Sequence, residues 1–531
     1  MLVATLGNGV HCFRNEGGHF KEVTAEAGLA SRTGSTSLAL ADVDGDGALD
    51  LYVANYGTQA ILRSGGGSAQ MKRVNGQWVV TGPYADRLRL VDGRLEEVGE
   101  PDVLYLNDGR GHFRPLPWNS EFFLDEDGKP KAAPWDFGLT AQMRDINGDG
   151  FPDIYVCNDF QTVDRAWIND GTGHFRALPR LAMRHQSYAS MGVDFADIDR
   201  DGWLDCFVVE MLSREHPRRM SQRSAMSPEA PAVGRIENRP EVNRNTLFWN
   251  RGDGTYAEIA NFSGVAASDW SWQPVFLDVD LDGYEDLLIV NGHAFDVQDR
   301  DVLEQIRGFG KQPLAQARTN LALYPPLTPK KMAFRNRRDR TFEEVSDAWG
   351  FNSRQVAQGI ALADLDNDGD LDVVINCFNA PPLLYRNNSS APRVAVRLAG
   401  RAPNVQGIGA NIRVKGGPVA LQMQEIVCGG RYLSGDDPMR VFAAGTLTNK
   451  LTIEVRWRSG QTSEVREARA NQLYVIEEPA APAAKTAPPG SRRATEAGEP
   501  RPATVFFKDV SHLLNHSHHD ELFNDYGRQP L

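Results

Sequence analysis

The stretch DVDGDGALD, residues 42–50, decides how this chain is read. It puts carboxylates at its first, third, fifth and ninth positions (Asp42, Asp44, Asp46 and Asp50) and glycine at its sixth. Oxygen ligands at that spacing, with a main-chain carbonyl at position seven, can wrap one hard cation, and the glycine permits the sharp turn that gathers them. Without a cation the carboxylates would repel one another and some would protonate. Calcium fits best, since magnesium asks for a stricter octahedron and retains more water.

The same nonapeptide recurs four more times. DINGDGFPD supplies Asp145, Asn147, Asp149 and Asp153; DIDRDGWLD supplies Asp197, Asp199, Asp201 and Asp205. DVDLDGYED supplies Asp278, Asp280, Asp282 and Asp286, and DLDNDGDLD supplies Asp364, Asp366, Asp368 and Asp372. One copy has a chance of roughly one in a million per position on average residue usage, so five copies are a repeat. Asn147 keeps an oxygen but loses a charge, which predicts weaker binding in that loop. About five calcium ions are expected. Flanking helices and a position-twelve glutamate are lacking, which separates these loops from a helix–loop–helix calcium site.

Outward from each loop the frame is constant. A short apolar strand precedes it (SLALA, LTAQM, GVDFA, PVFL, GIALA), another follows (LYVAN, IYVCN, CFVVE, LLIVN, VVIN), and a hairpin comes later. The hairpins read LYLNDGRGHF, AWINDGTGHF, LFWNRGDGTY and MAFRNRRDRTF, and their N-D-G-x-G turns supply positive φ. About four antiparallel strands per unit, with no convincing helix between them, is the repeat of a β-propeller blade. The first aspartates lie 103, 52, 81 and 86 residues apart. The 52-residue interval is close to a bare blade, so the excess maps to insertions at 56–101, 211–243 and 292–330. The first carries hairpin signals and is expected to hold extra strands or a degenerate blade; the second holds a basic loop, REHPRRMSQR. The chain opens mid-blade, with LVATLGNGVHCFRNEGGHF matching three last strands, and the first strand of that unit is expected upstream in a longer precursor.

Composition bounds the rest. The chain has 531 residues, 70 acids and 57 bases, 50 glycines and 41% apolar residues. This suits a large, turn-rich globular protein and argues against a general nucleic-acid binder, which needs a basic face. No apolar run approaches the ~20 residues of a membrane helix. Nineteen of the acids are loop aspartates; the remaining 51 face 57 bases, so the acidity sits in the loops. Five cysteines at wide spacing argue against a zinc or disulfide framework, and Cys157, Cys206 and Cys377 stand in apolar runs, as buried small hydrophobes do. The start of the chain has no basic, long-apolar signal sequence.

The loops and their strands resemble FG-GAP/VCBS repeats, the calcium-loop blades also seen in integrin α-subunit propellers. PNVQGIGANIRV (403–414), QEIVCGGRYLSGDD (424–437), FAAG (442–445) and IEVRWRSGQ (453–461) resemble the ASPIC/UnbV domain that follows such repeats in cartilage acidic protein and bacterial relatives. The resemblance implies an all-β chain. Its parts would be an FG-GAP/VCBS propeller over 1–390 and a small ASPIC/UnbV-like β domain over 391–478, with five full blades plus a partial one, of the seven-bladed type in full. A Pro/Ala-rich linker (479–503) and the start of a further repeat (504–531) would follow. It also implies an extracellular, periplasmic or cell-surface module that binds a protein or glycan partner, works as a monomer and does no catalysis.

Four features pull elsewhere. GIGA at Gly407 lacks the helix of a dinucleotide site. Arg251-Gly252-Asp253 spells an adhesion tripeptide but occupies a hairpin turn of the repeat. His512, His516, His518, His519, Asp520 and Glu521 could hold a transition metal, although the segment also reads as a repeat start. Asp269, His293 and Asp296 with Trp270 and Trp272 suggest the rival reading, a glycan-active enzyme or carbohydrate-binding protein on the same scaffold.

Overall fold

In a computed structural model, residues 1–480 form one compact unit. The structure describes residues 1–480 apart from 59–60, 62–69, 92, 119–121, 160–161, 223–239, 311, 314–315 and 317–318. The linker after 480, the histidine-rich segment and the proposed further repeat lie outside the described residues.

Every loop joins the first two strands of an antiparallel sheet. Ser35–Ala41, Asp50–Asn55, Val103–Asn107 and Phe113–Pro115 make the first such sheet. Gly138–Arg144, Asp153–Asn158, Arg165–Asn169 and Phe175–Ala177 make the second. The third runs Val193–Ala196, Asp205–Val208, Thr246–Asn250, Tyr256–Glu258, and the fourth Ser271–Leu277, Asp286–Asn291, Met332–Asn336, Phe342–Glu344. The fifth has three strands, Ala357–Ala363, Asp372–Cys377 and Leu383–Tyr385. A three-stranded sheet, Leu2–Thr5, Gly9–Glu16 and His19–Glu22, precedes them, as the mid-unit opening of the sequence predicts. The strands form because small, β-branched and aromatic residues fill the segments between the glycine turns, and their second strands are buried on both faces. Cys157, Cys206 and Cys377 are buried in those strands.

The insertions leave from one side. Each follows the end of a second strand, at Asn55, Val208 and Asn291, and so emerges opposite the aspartate loops. The first contributes two separate hairpins, Gln70–Val74 with Gln77–Thr81 and Leu88–Val91 with Arg94–Glu97. These are extra strands rather than a degenerate blade. The second and third hold helices α1 (His216–Ser221) and α3 (Arg300–Gly308), and between them a short α2 (Ala260–Ser263) ends a hairpin. Helix therefore enters where the strand period is interrupted, which the blade pattern does not foresee.

Residues 393–477 build two further sheets. Arg440–Ala443, Arg393–Ala399 and Gln472–Glu477 form one, with the last two parallel. Gln422–Glu425, Asn411–Lys415, Leu451–Arg456 and Thr462–Ala468 form the other. They share a core of Val394, Val396, Ile412, Phe442, Ile453, Val455 and Trp457.

One segment of this C-terminal domain, residues 428–437, touches the first strand of all five loop-bearing sheets. Cys428 and Gly429 pair with Leu40 and Ala39. Gly430 packs on Gln142, where a Cβ would stand 3.0 Å from the glutamine side chain, and its φ of +80° suits glycine. The Arg431 guanidinium lies 3.2 Å from Asp194 and donates to the Pro274 carbonyl, while Tyr432 N donates to Gln273 and its ring stacks on Trp272 at 5.2 Å. Ser434 Oγ donates to the Ile360 carbonyl, and Leu362 N donates to Asp436. Arg431 is 7% exposed, and Asp194 and Asp436 both face it, so the buried charge is matched.

Candidate metal centres

Each loop is shaped by the same main-chain conformation. The sixth-position glycines, Gly47, Gly150, Gly202, Gly283 and Gly369, have φ between +88° and +98°. Position four is left-handed too, taken by Gly45, Gly148, Arg200, Leu281 and Asn367. Two left-handed residues in six fold the loop back on itself, and the carboxylates then cap its own amides. Asp42, for instance, accepts from Gly45 N and Gly47 N, and Asp197 from Asp201 N and Gly202 N. Position five accepts from the amide of position seven in all five loops, as Asp46 does from Ala48.

Position nine is tied down twice. Asp50 Oδ2 accepts from Val43 N and Oδ1 from Asn107 N, and Asp153, Asp205, Asp286 and Asp372 repeat the pattern with Asn169, Asn250, Asn336 and Asn387. The first four of these asparagines begin hairpin turns, and Asn387 follows the last strand of the three-stranded fifth sheet. Asn169 Nδ2 also donates to the Val43 carbonyl of the preceding loop, as Asn336 does to Ile198 and Asn387 to Val279, so each of these three sheets is clamped to its neighbour. The sequence reading credits the N-D-G turns with positive φ alone and misses this role. The recurrence of asparagine at one position in five repeats is the signal that would have found it.

The structure brings oxygens of Asp42, Asp44 and Asp50 within 4.8 Å of one another, likewise Asp197, Asp199 and Asp205, Asp278, Asp280 and Asp282, and Asp364, Asp366 and Asp372. In the Asp145 loop, where the third position is an amide, Asn147 Nδ2 donates to Asp149 at 2.8 Å. Burial pushes Asp50 up to about 8, Asp197 to about 7 and Asp145 to about 6, and lifts Asp153, Asp205, Asp278 and Asp286 well above the usual carboxylate range, the neighbouring aspartates adding to it. Asp145 Oδ1, Asp199 Oδ1 and Asp280 Oδ1 are buried and accept no hydrogen bond. Buried acceptor oxygens without donors, turned toward further carboxylates, suit an oxygen-seeking cation.

The C-terminal domain rests on this side of the sheets. Arg458 Nε donates to the Asp42 carbonyl, Arg456 to the Asp149 carbonyl and Arg393 to the Asp368 carbonyl, and Pro418 and Val419 pack on Gly283.

Against known families, the FG-GAP-like repeat matches residues 1–53, 145–208, 236–289 and 330–375, which include all five loops, and the ASPIC and UnbV family matches residues 400–483. The chain is an FG-GAP-like repeat protein with a C-terminal ASPIC and UnbV domain. A search of curated proteins finds no match. Among solved structures, this FG-GAP repeat chain aligns with a Photorhabdus luminescens Tc holotoxin pore at 14% identity and a TM-score of 0.20, over 88% of its own length and 26% of the toxin chain. It aligns with a pilus-presented adhesin at 8% identity and a TM-score of 0.12, over 89% and 96% of the two chains. The FG-GAP repeat chain thus spans about a quarter of that toxin chain.

The rival site is also resolved. Asp269 and Asp296 come together, as the sequence suggests, but Arg218 of α1 bridges them, lying 3.0 Å from Asp296. His293 stacks on Trp270 at 4.2 Å and its Nδ1 lies 2.7 Å from the Phe295 carbonyl. In the hairpin of Arg251 and Gly252, Asp253 accepts from Thr255 N and Oγ1, an ordinary turn cap.

Proposed function

We propose that this protein is a calcium-stabilised β-propeller that serves as a non-catalytic interaction module outside the cytoplasm. The observation that carries the reading is the set of aspartate loops, alike in backbone and gathered on one side of successive sheets. The positions that would hold the ions are 1, 3, 5 and 9 of each loop, with the position-seven carbonyl. A bound calcium would supply the positive charge that these carboxylates share and would lock each loop to its strands.

The arrangement supports a division of labour. The loop side is taken up by the ASPIC and UnbV domain. The insertions leave from the other side, where inserted segments of repeat proteins commonly gather into a binding surface. A protein or glycan partner would meet them there. A catalytic role for Asp269 and Asp296 is disfavoured because one guanidinium engages both carboxylates.

Thermal melting with and without EGTA, alongside elemental analysis, tests the calcium reading. Sites of ~10⁻⁴ to 10⁻³ M affinity in millimolar calcium add up to about 1–1.5 kcal/mol each. A large fall in Tm on chelation is expected; an unchanged melt with no calcium in the purified protein would sink it.

A further inference from the structure

The hairpin that closes the fourth loop-bearing sheet departs from its relatives. The others turn through Asn107-Asp108-Gly109-Arg110-Gly111, Asn169-Asp170-Gly171-Thr172-Gly173 and Asn250-Arg251-Gly252-Asp253-Gly254, with glycine at the two left-handed positions. The fourth runs Asn336-Arg337-Arg338-Asp339-Arg340, and Arg338 and Arg340 hold φ of +66° and +67°. Residues with a Cβ disfavour that conformation, so something must compensate for both arginines.

The compensation lies in the metal loops. Arg338 Nη2 donates to Asp282 Oδ2 at 2.8 Å, and Arg335, one strand position before the turn, lies 2.7 Å from Asp280 Oδ2 and 3.5 Å from Asp282. Arg340 sits over the Trp249 ring at 4.4 Å, and its Nε is 4.0 Å from Asp199 of the neighbouring loop. Two guanidiniums therefore contact the third- and fifth-position ligands of the Asp278 loop. In the Asp364 loop Arg393 reaches Asp368 at 2.9 Å and shares itself with Asp370 at 3.2 Å, while Arg386 comes no nearer than 3.9 Å to Asp366. The Asp42 and Asp145 loops meet arginine through main-chain carbonyls, with Arg458 no closer than 3.9 Å to the Asp42 carboxylate.

We infer that Arg335 and Arg338 act as resident counter-cations of the Asp278 loop, so that this loop binds calcium more weakly than the other four. The inference rests on the calcium reading above. A calcium ion entering this loop must displace or sit beside two positive charges already paired with its ligands, whereas among the described residues no other loop has both its third- and fifth-position carboxylates held by arginine within 3.0 Å.

Calorimetric titration of the calcium-stripped full chain with calcium alone decides it. The expected isotherm shows the Asp42, Asp197 and Asp364 sites in the main transition, the Asn147 loop somewhat weaker, and a fifth site at least about tenfold weaker than the main transition. Arg335→Ala with Arg338→Gly, which restores the glycine of the sister hairpins, brings the fifth site into the main transition. Arg337→Ala removes a charge from the same turn without a contact to a loop carboxylate among the described residues, and leaves the weak site weak. Five equal sites in the unaltered chain, or a weak site unmoved by the double variant, overturns the inference while leaving the calcium reading intact. No binding in either protein overturns both.

Discussion

At the scale of single residues, the aspartates that attract attention are half of the arrangement; the asparagines that hold them are the other half. Asn169 donates to two carbonyls in two different loops and accepts from Gly171 N. Asn169→Ala leaves the Val43 and Pro152 carbonyls without that donor in a buried setting, at a cost of about 1–3 kcal/mol read as a fall in Tm. Asp102 offers a pH test away from the loops. It is buried between the Tyr52 hydroxyl and Asn55 N, both donating at 2.8 Å, and burial pushes it up to about 7. The folded state thus holds a proton that the unfolded chain releases near pH 4; this stability is whole at low pH and lost as pH rises through about 7. Asp102→Asn removes the titration, so ΔG against pH between 4 and 7 should be flatter than in the unaltered chain by up to about 1.4 kcal/mol per unit. An unchanged slope by chemical denaturation at each pH would show that Asp102 does not carry it.

The element that matters is the nine-residue loop with its two flanking strands. Gly202 has φ of +91°, and no atom lies within 4 Å of where its Cβ would stand. Gly202→Ala therefore meets no clash, and its expected cost, roughly 1–2 kcal/mol by thermal melting, is backbone conformation alone. How much was legible in the sequence follows the reach of each interaction. Loop, strands and hairpin lie within a few dozen residues and obey strict spacing, so Asp42 to Asp50 announce both the turn and the chemistry. The Arg218 bridge is different: it spans 51 residues to Asp269 and 78 to Asp296, with nothing local to mark it. Segment 428–437 was visible as a family signature, yet its five strand contacts depend on where the sheets stand, which no short-range pattern encodes. Helices α1 and α3 arise inside insertions, where the repeat no longer governs.

For the whole molecule, the C-terminal domain is joined to the repeats both at the loop side and along their first strands. Arg431 is the charge at the centre of that join. Arg431→Met leaves Asp194 and Asp436 buried without their partner and is expected to cost about 3–5 kcal/mol, whereas Leu433→Ala next to it, at a half-exposed side chain, should shift stability by no more than about 0.5 kcal/mol. Equal melts for the two variants would show that the segment rests on the sheets without holding them. Segment 428–437 also imposes an order on biosynthesis. The Ser37 hydroxyl waits for the Arg431 carbonyl across 394 residues, and Leu40 pairs with Cys428 from the far end of the unit. While the ribosome is still adding the repeats, the first-strand edge of every finished sheet is bare, open to chaperones and to the strands of other nascent chains. Contacts of such long range are slow to form, so the hazardous interval for this protein is the time between emergence of its first sheet and emergence of the ten residues that cover that edge.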